Sequence, residues 1–211
     1  MIPLINTIFI AFIKILPKSL VSVFAKQYVA GEKIEDVLQA VKTINKNGLK
    51  ATIDILGEHF TSEQDIRGIV SEYNELYRLI KKNNIDANIS IKPTHIGLDI
   101  SYNYAFSNFN KIIGNVKKYE NFLRIDMESS AATDDTVRLY QDLLDNTSKV
   151  GIVFQAYLHR TYEDLKNIKH KNILNFRLCK GIYKESSDIA ITDYKDINNN
   201  YLKILEYAFE N

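Results

Sequence analysis

Arg177 and Lys180 frame the stretch Arg177-Leu178-Cys179-Lys180, which runs into Gly181-Ile182-Tyr183 directly after the apolar Ile173-Leu174-Asn175-Phe176. Two cations closing a strand-like run suit an anion, or a ligand on which negative charge builds during reaction. Four earlier apolar runs end in equally polar residues: Asp54 and Glu58, Lys92, Asp126 and Glu128, and Gln155 and Tyr157. Lys92 closes its run just before Pro93, a place from which it can bind a carboxylate or, once desolvated, act as a base or Schiff-base amine. Its plainer reading is a solvated lysine. Asp126 and Glu128 flank Met127, and residues two apart in an extended strand share a face. Both carboxylates are therefore expected in one space, orienting a cationic amine or pairing with Arg177. Gln155 follows four core residues, Gly151-Ile152-Val153-Phe154, so its amide needs partners. An aromatic heterocycle or a backbone group would satisfy it equally well. No metal is expected, because His95, His159 and His170 show no ligand spacing and hard cations want more oxygen ligands. Cys179 reads as a small buried hydrophobe.

Something must bring these strand ends together, and the pattern of elements supplies it. Residues 33–47 place Ile34, Val37, Leu38, Val41 and Ile44 on one helical face, and 51–56 read as a strand. A capping box, Thr61 with Gln64, is expected to open the next helix, whose stripe is Ile66, Ile69, Val70, Tyr73, Leu76, Tyr77 and Ile80. Strands follow at 87–92, 122–127, 151–157 and 173–179, each succeeded by a helical pattern, the last at 197–210. Five β-then-α units demand a parallel sheet with right-handed connections. Polar groups at every strand end favour a barrel over an open doubly wound sheet, which concentrates them near one switch point. The absence of Gly-x-Gly-x-x-Gly removes the usual dinucleotide cradle of the open sheet. The expected class is α/β, an incomplete (βα)8 barrel with five parallel strands preceded by N-terminal helices. In domain terms, 1–211 is one partial barrel, with 1–47 as N-terminal helices and 48–211 as βα units 1–5.

The balance of 27 basic against 26 acidic residues, well interspersed, leaves no electrostatic footprint for nucleic acid. A single cysteine excludes an internal disulfide and fits a reducing compartment, so the expected location is cytoplasmic. Residues 1–16, MIPLINTIFIAFIKIL, are very apolar but interrupted by Lys14 and stopped by Pro17. A spanning helix needs about 20 apolar residues. A helix packed on the domain is the plain expectation, and a peripheral contact at the inner face of the membrane is the sharper one.

Taken in order, six motifs carry a resemblance: Tyr28-Val29-Ala30-Gly31-Glu32, Asp54-Ile55-Leu56-Gly57-Glu58, Ser90-Ile91-Lys92, Asp126-Met127-Glu128-Ser129, Gln155-Ala156-Tyr157-Leu158-His159-Arg160 and Arg177-Leu178-Cys179-Lys180-Gly181-Ile182-Tyr183. The series resembles the monofunctional proline dehydrogenases, flavoenzymes with a distorted (βα)8 barrel. The resemblance implies FAD as cofactor, oxidation of L-proline at C5 to Δ1-pyrroline-5-carboxylate, and a quinone as electron acceptor. It implies that Lys92 holds the substrate carboxylate and that Tyr183 packs near the bound proline. Asp126 and Arg177 would form an ion pair gating the site, with Arg177 also beside the flavin. Met127, Gln155, Lys180, Gly181 and Ile182 look like flavin contacts. Asp126, Glu128 and Arg177 are the expected catalytic group.

That family continues through a strand ending in Thr-His, another with a Phe-Glu-Phe-Gln-like run, and a helix with paired arginines. None of these occurs between Ile189 and Asn211. The expectation is therefore a fragment, truncated or split, with little proline oxidation on its own and a complementing C-terminal chain as partner. The competing reading is a non-catalytic α/β module that binds a partner through an open sheet edge.

Overall fold

The computed structural model describes residues 29–31 and 33–211, and the apolar segment 1–16 lies outside them. The chain divides into two units, Met1–Lys50 and Ala51–Asn211. In the first, helix α1 (Ile34–Lys46) carries Glu35 and Asp36 in its first turn and Lys46 in its last, which complements the helix dipole. Leu38 and Val41 are its buried residues. Gly48, with φ +75, ends it as the Leu49 N–H returns to the Ile44 carbonyl at 3.3 Å.

The second unit alternates strand and helix throughout: β1 (Ala51–Asp54), α2 (Glu63–Lys82), β2 (Ala87–Ile91), α3 (Tyr102–Lys118), β3 (Leu123–Ile125), α4 (Ser130–Leu144), β4 (Val150–Gln155), α5 (Thr161–Lys166), β5 (Phe176–Cys179) and α6 (Tyr194–Glu210). Neighbouring strands pair in parallel in the order β1-β2-β3-β4-β5. Sequential order without a reversal is what a (βα)8 barrel uses and what a doubly wound sheet does not. The unit is an incomplete α/β barrel. Parallel strands buried on both faces read as continuous apolar runs, and all six residues of β4 are buried. Ile66, Tyr73, Tyr77 and Ile80 of α2, Phe109 and Ile112 of α3, and Leu139, Tyr140 and Leu143 of α4 provide the fully buried helical side of the core. Each such side chain contributes about 1.5–3 kcal/mol relative to exposure.

Three local expectations change. The cap of α2 is Ser62, whose Oγ accepts from the Asp65 N–H at 3.3 Å, not Thr61. With the helix starting at Glu63, Gln64 sits too early to reach back, and the box shifts by one residue. The strands also end earlier than expected: β1 closes at Asp54, β3 at Ile125 and β4 at Gln155. Beyond those points the chain turns to form the rim. Finally, β5 begins at Phe176, because Lys171–Ile173 forms a 3-10 turn. Among the described residues no helix is long and apolar enough to cross a membrane.

Candidate functional site

The residues singled out lie at or just past the C-terminal ends of the strands, except Arg177, which sits within β5 opposite Val153, and side-chain contacts join several of them in pairs. Lys92, the residue after β2, turns its Nζ to Asp54 Oδ2 at the end of β1, 2.7 Å away. Both side chains are largely buried, at 20% and 28% exposure. Burial raises the Asp54 carboxyl above its ordinary range, and the Lys92 charge and hydrogen bond oppose that rise. Beyond β3, Asp126 accepts from Arg177 Nη2 of β5 at 2.9 Å. Arg177 is 55% exposed, so the pair contributes only about 0–1 kcal/mol to stability.

Tyr183 donates its phenol to Glu58 Oε2 at 3.1 Å, bringing the segment after β5 back to the loop after β1. Burial, followed by the charges of Glu58, Glu128 and Asp126, pushes that phenol well above its usual range. It is a neutral hydrogen-bond donor. Glu185 anchors the same segment, accepting from the N–H and the Oγ of Ser130 at 2.7 Å each. This satisfies a free N–H at the start of α4.

Asp126 and Glu128 do not share a hydrogen-bond partner. The strand ends at Ile125, so the two-residue alternation does not reach them, and they take different partners. Glu128 is 1% exposed, and its two oxygens accept from the N–H of Thr94 at 3.0 Å and from its Oγ1 at 2.5 Å. Gln155 is 2% exposed and gives its amide Nε2 to the Glu128 carbonyl at 2.8 Å, so a backbone group satisfies it. Met127 is buried as well. Lys180 directs its ammonium to the Tyr194 hydroxyl at 2.7 Å, over the face of that ring. Gly181 has φ +117, and Ile182 is 89% exposed. Burial pushes the Cys179 thiol up, away from a reactive thiolate.

Thr94, His95 and Asn200 have roles that the sequence patterns did not indicate. Thr94 also accepts at Oγ1 from the His59 N–H at 2.9 Å and at its carbonyl from the Phe60 N–H at 3.2 Å. Asn200, in what reads as a polar tract, donates to the Ala156 carbonyl at 2.6 Å and so ties α6 to the rim. No local pattern announces either, since the partners lie 34 to 44 residues apart.

His95 is fully buried, with Nδ1 3.2 Å from the Tyr73 hydroxyl and Nε2 without a partner. Burial first, and the Lys92 charge second, push its imidazole down to about 4. The folded chain keeps this ring neutral while the unfolded chain takes up a proton near the ordinary value of 6.5. Stability from this group is therefore present above pH 6.5 and is lost as pH falls towards 4, by roughly 3 kcal/mol. The unfolding free energy of the native chain should converge on that of His95→Asn across this window in urea titrations. Parallel pH curves for the two proteins would contradict the assignment.

The rim combines cations (Lys92, Arg177, Lys180) with exposed apolar side chains, Leu56 at 71% and Ile182 at 89%. That mixture suits a flat, partly apolar, electron-accepting ring system. Among the described residues no group of three or more His, Cys, Asp or Glu side chains could hold a metal ion.

A sequence-family profile described as "Proline dehydrogenase" matches residues 37–210. "Proline dehydrogenase 1" of Bacillus subtilis subsp. natto is 35% identical over 182 residues, covering 86% of this chain and 60% of that relative. "Proline dehydrogenase 2" of Bacillus subtilis (strain 168) is 31% identical, covering 87% and 60%. Among solved structures, proline utilization A from Bdellovibrio bacteriovorus, inactivated by N-propargylglycine, superposes with a TM-score of 0.81 at 23% identity, covering 92% of this chain and 25% of that one. Proline utilization A from Bradyrhizobium japonicum (mutant D778Y) gives 0.66 at 18% identity, covering 82% and 21%. The chain thus spans about 60% of the length of the curated relatives it matches.

Proposed function

Because the chain belongs to the proline dehydrogenase family, we propose that its rim binds L-proline and takes part in oxidising it to Δ1-pyrroline-5-carboxylate. FAD, when bound, supplies the acceptor for the hydride leaving C5, and a quinone carries the electrons onward. Residues 48–211 contribute βα units 1–5 of the barrel.

What supports this reading most is the gathering of Lys92, Asp126, Arg177 and Tyr183 at one end of one parallel sheet. Lys92, already aimed by Asp54, offers its remaining N–H groups to the substrate carboxylate. Tyr183, held by Glu58, forms a neutral wall beside the pyrrolidine ring. The Asp126–Arg177 pair opens to admit substrate and closes over it, excluding water. Arg177 also leaves a cation where negative charge develops on the acceptor side, which favours the transition state over the ground state. Met127, Gln155, Lys180, Gly181 and Ile182 would hold the cofactor: Gly181 through close backbone approach, Ile182 through its exposed apolar face, and Met127 and Gln155 as a rigid floor. Holding substrate and acceptor in one orientation is the main service the protein gives to hydride transfer.

Among the described residues β1 and β5 each have a sheet neighbour on one side only. We therefore assign the isolated chain low turnover, raised by a complementing chain that pairs with those edges. A membrane-dissolved quinone would draw a cytoplasmic protein to the inner face of the membrane.

The test is a flavin spectrum. The purified chain, reconstituted with FAD, should show a visible flavin band that anaerobic L-proline bleaches and D-proline does not. A colourless protein that associates with a partner would favour the non-catalytic module instead.

A further inference from the structure

We propose that Glu128 is a positioning residue: a buried carboxylate that grips Thr94 and thereby fixes both Lys92 and the loop that carries Glu58. This rests on the proline reading for its consequence but not for its geometry. Both Glu128 oxygens accept from Thr94, and the residue is 1% exposed. The grip requires a carboxylate. Thr94 presents two donors, its N–H and its O–H, and among side chains of this length only an ionised carboxyl accepts at both oxygens. Burial raises the Glu128 pKa, and the two Thr94 bonds oppose that rise without cancelling it.

What Thr94 holds explains why the grip matters. Lys92 and Thr94 are separated only by Pro93, whose ring fixes φ, so locking Thr94 sets the direction from which Lys92 leaves the strand. On its other side Thr94 binds the N–H groups of His59 and Phe60. His59 has φ +58, a left-handed conformation uncommon for a residue with a side chain. Glu58, the next residue back, is the one that receives Tyr183. Glu128 also orients Gln155 through its own carbonyl. One buried acid on β3's exit thus sets side chains on the exits of β1 and β2. A group so placed acts through Lys92 and Glu58, and it touches no substrate.

The experiment compares the full chain with Glu128→Ala, Glu128→Gln and Thr94→Val. Hydrogen exchange reads the amides of His59, Phe60 and Thr94. Stopped-flow bleaching of the FAD-loaded protein at increasing L-proline separates the substrate dissociation constant from the limiting reduction rate. Glu128→Ala should speed exchange at these three amides by about 10-fold or more while the strand amides keep their protection. The dissociation constant should rise by about 10-fold with the limiting rate within about 3-fold of the native value. Glu128→Gln should recover only part of both effects, because its amide oxygen keeps one acceptor while its NH₂ leaves the second Thr94 donor without one. Thr94→Val, which keeps the N–H and loses the hydroxyl, should fall between them. Unchanged exchange in Glu128→Ala overturns the proposal. So does a limiting rate that collapses by about 100-fold in Glu128→Gln with binding unaltered, the mark of a proton-transfer group. If the native chain holds no proline-bleachable flavin, the proline reading fails, and the exchange measurements alone decide the grip.

Discussion

Replacing Lys92 by methionine should lower the second-order rate at which L-proline bleaches the bound flavin by about 10²–10³-fold. Methionine keeps the length and apolar stem of the side chain, so the loss isolates the ammonium. In the native chain that ammonium has one N–H committed to Asp54 and lies at 20% exposure, where its attraction for a carboxylate is only partly screened. The effect should fall mainly on substrate affinity, because the carboxylate is bound in ground and transition states alike. A variant that retained native affinity would remove Lys92 from the substrate site.

The same substitution has a second consequence, which a stability measurement separates from the first. Without Lys92, Asp54 loses the two influences that hold its pKa down, and burial, Asp126 and Glu58 remain to raise it. Its Oδ1 already lacks a partner. An unpaired, mostly buried carboxylate costs about 1–3 kcal/mol. A carboxyl whose folded pKa is raised stabilises the fold when protonated, and that contribution is lost as pH rises through the folded value. The stability deficit of Lys92→Met should therefore shrink as pH falls from 7 towards 4. Adding Asp54→Asn should restore stability at pH 7 and leave proline affinity poor. Recovery of both would mean that the ammonium serves Asp54 and nothing else.

The distinction between what the sequence reveals and what it hides follows from the range of each interaction. The strands and their order are legible because parallel β-strands buried on both faces must be apolar runs, as Gly151-Ile152-Val153-Phe154 is. The strand-end location of Lys92 is legible for the same reason: a cation that follows such a run leaves the sheet, whereas Arg177 stays within β5, opposite Val153. The Asp126–Arg177 pair could be anticipated because opposite charges on exits of one sheet have few other partners. The Glu128–Thr94 grip could not. Alternation predicts a shared face for residues 126 and 128 only while the strand lasts, and β3 stops at Ile125. Thr94 looks like any turn threonine until the fold brings residues 59, 60 and 128 to it.

Changing Gly181 to valine should abolish FAD retention and destabilise the fold by about 3 kcal/mol or more. Two independent costs combine here. At φ +117 the backbone lies where a β-branched residue is a genuine outlier. In addition, a Cβ at this position would fall inside the ring of Tyr157, overlapping Cδ1, Cε1 and Cγ. That ring cannot withdraw easily. Tyr157 is buried, its N–H donates to the Lys180 carbonyl at 2.8 Å, and its own carbonyl accepts from the Ile191 N–H at 2.7 Å. Relief must therefore come from the segment 180–183, which moves away and takes Ile182 and Tyr183 with it. The two costs can be separated. Gly181→Ala should lose flavin affinity by about 10²-fold, and Gly181→Ala with Tyr157→Leu should regain the steric part while the backbone strain of about 1–3 kcal/mol persists. Equilibrium FAD binding and urea unfolding on the same four proteins measure both. Full flavin affinity in the valine variant would mean that the close approach of Gly181 to Tyr157 has no part in holding the cofactor.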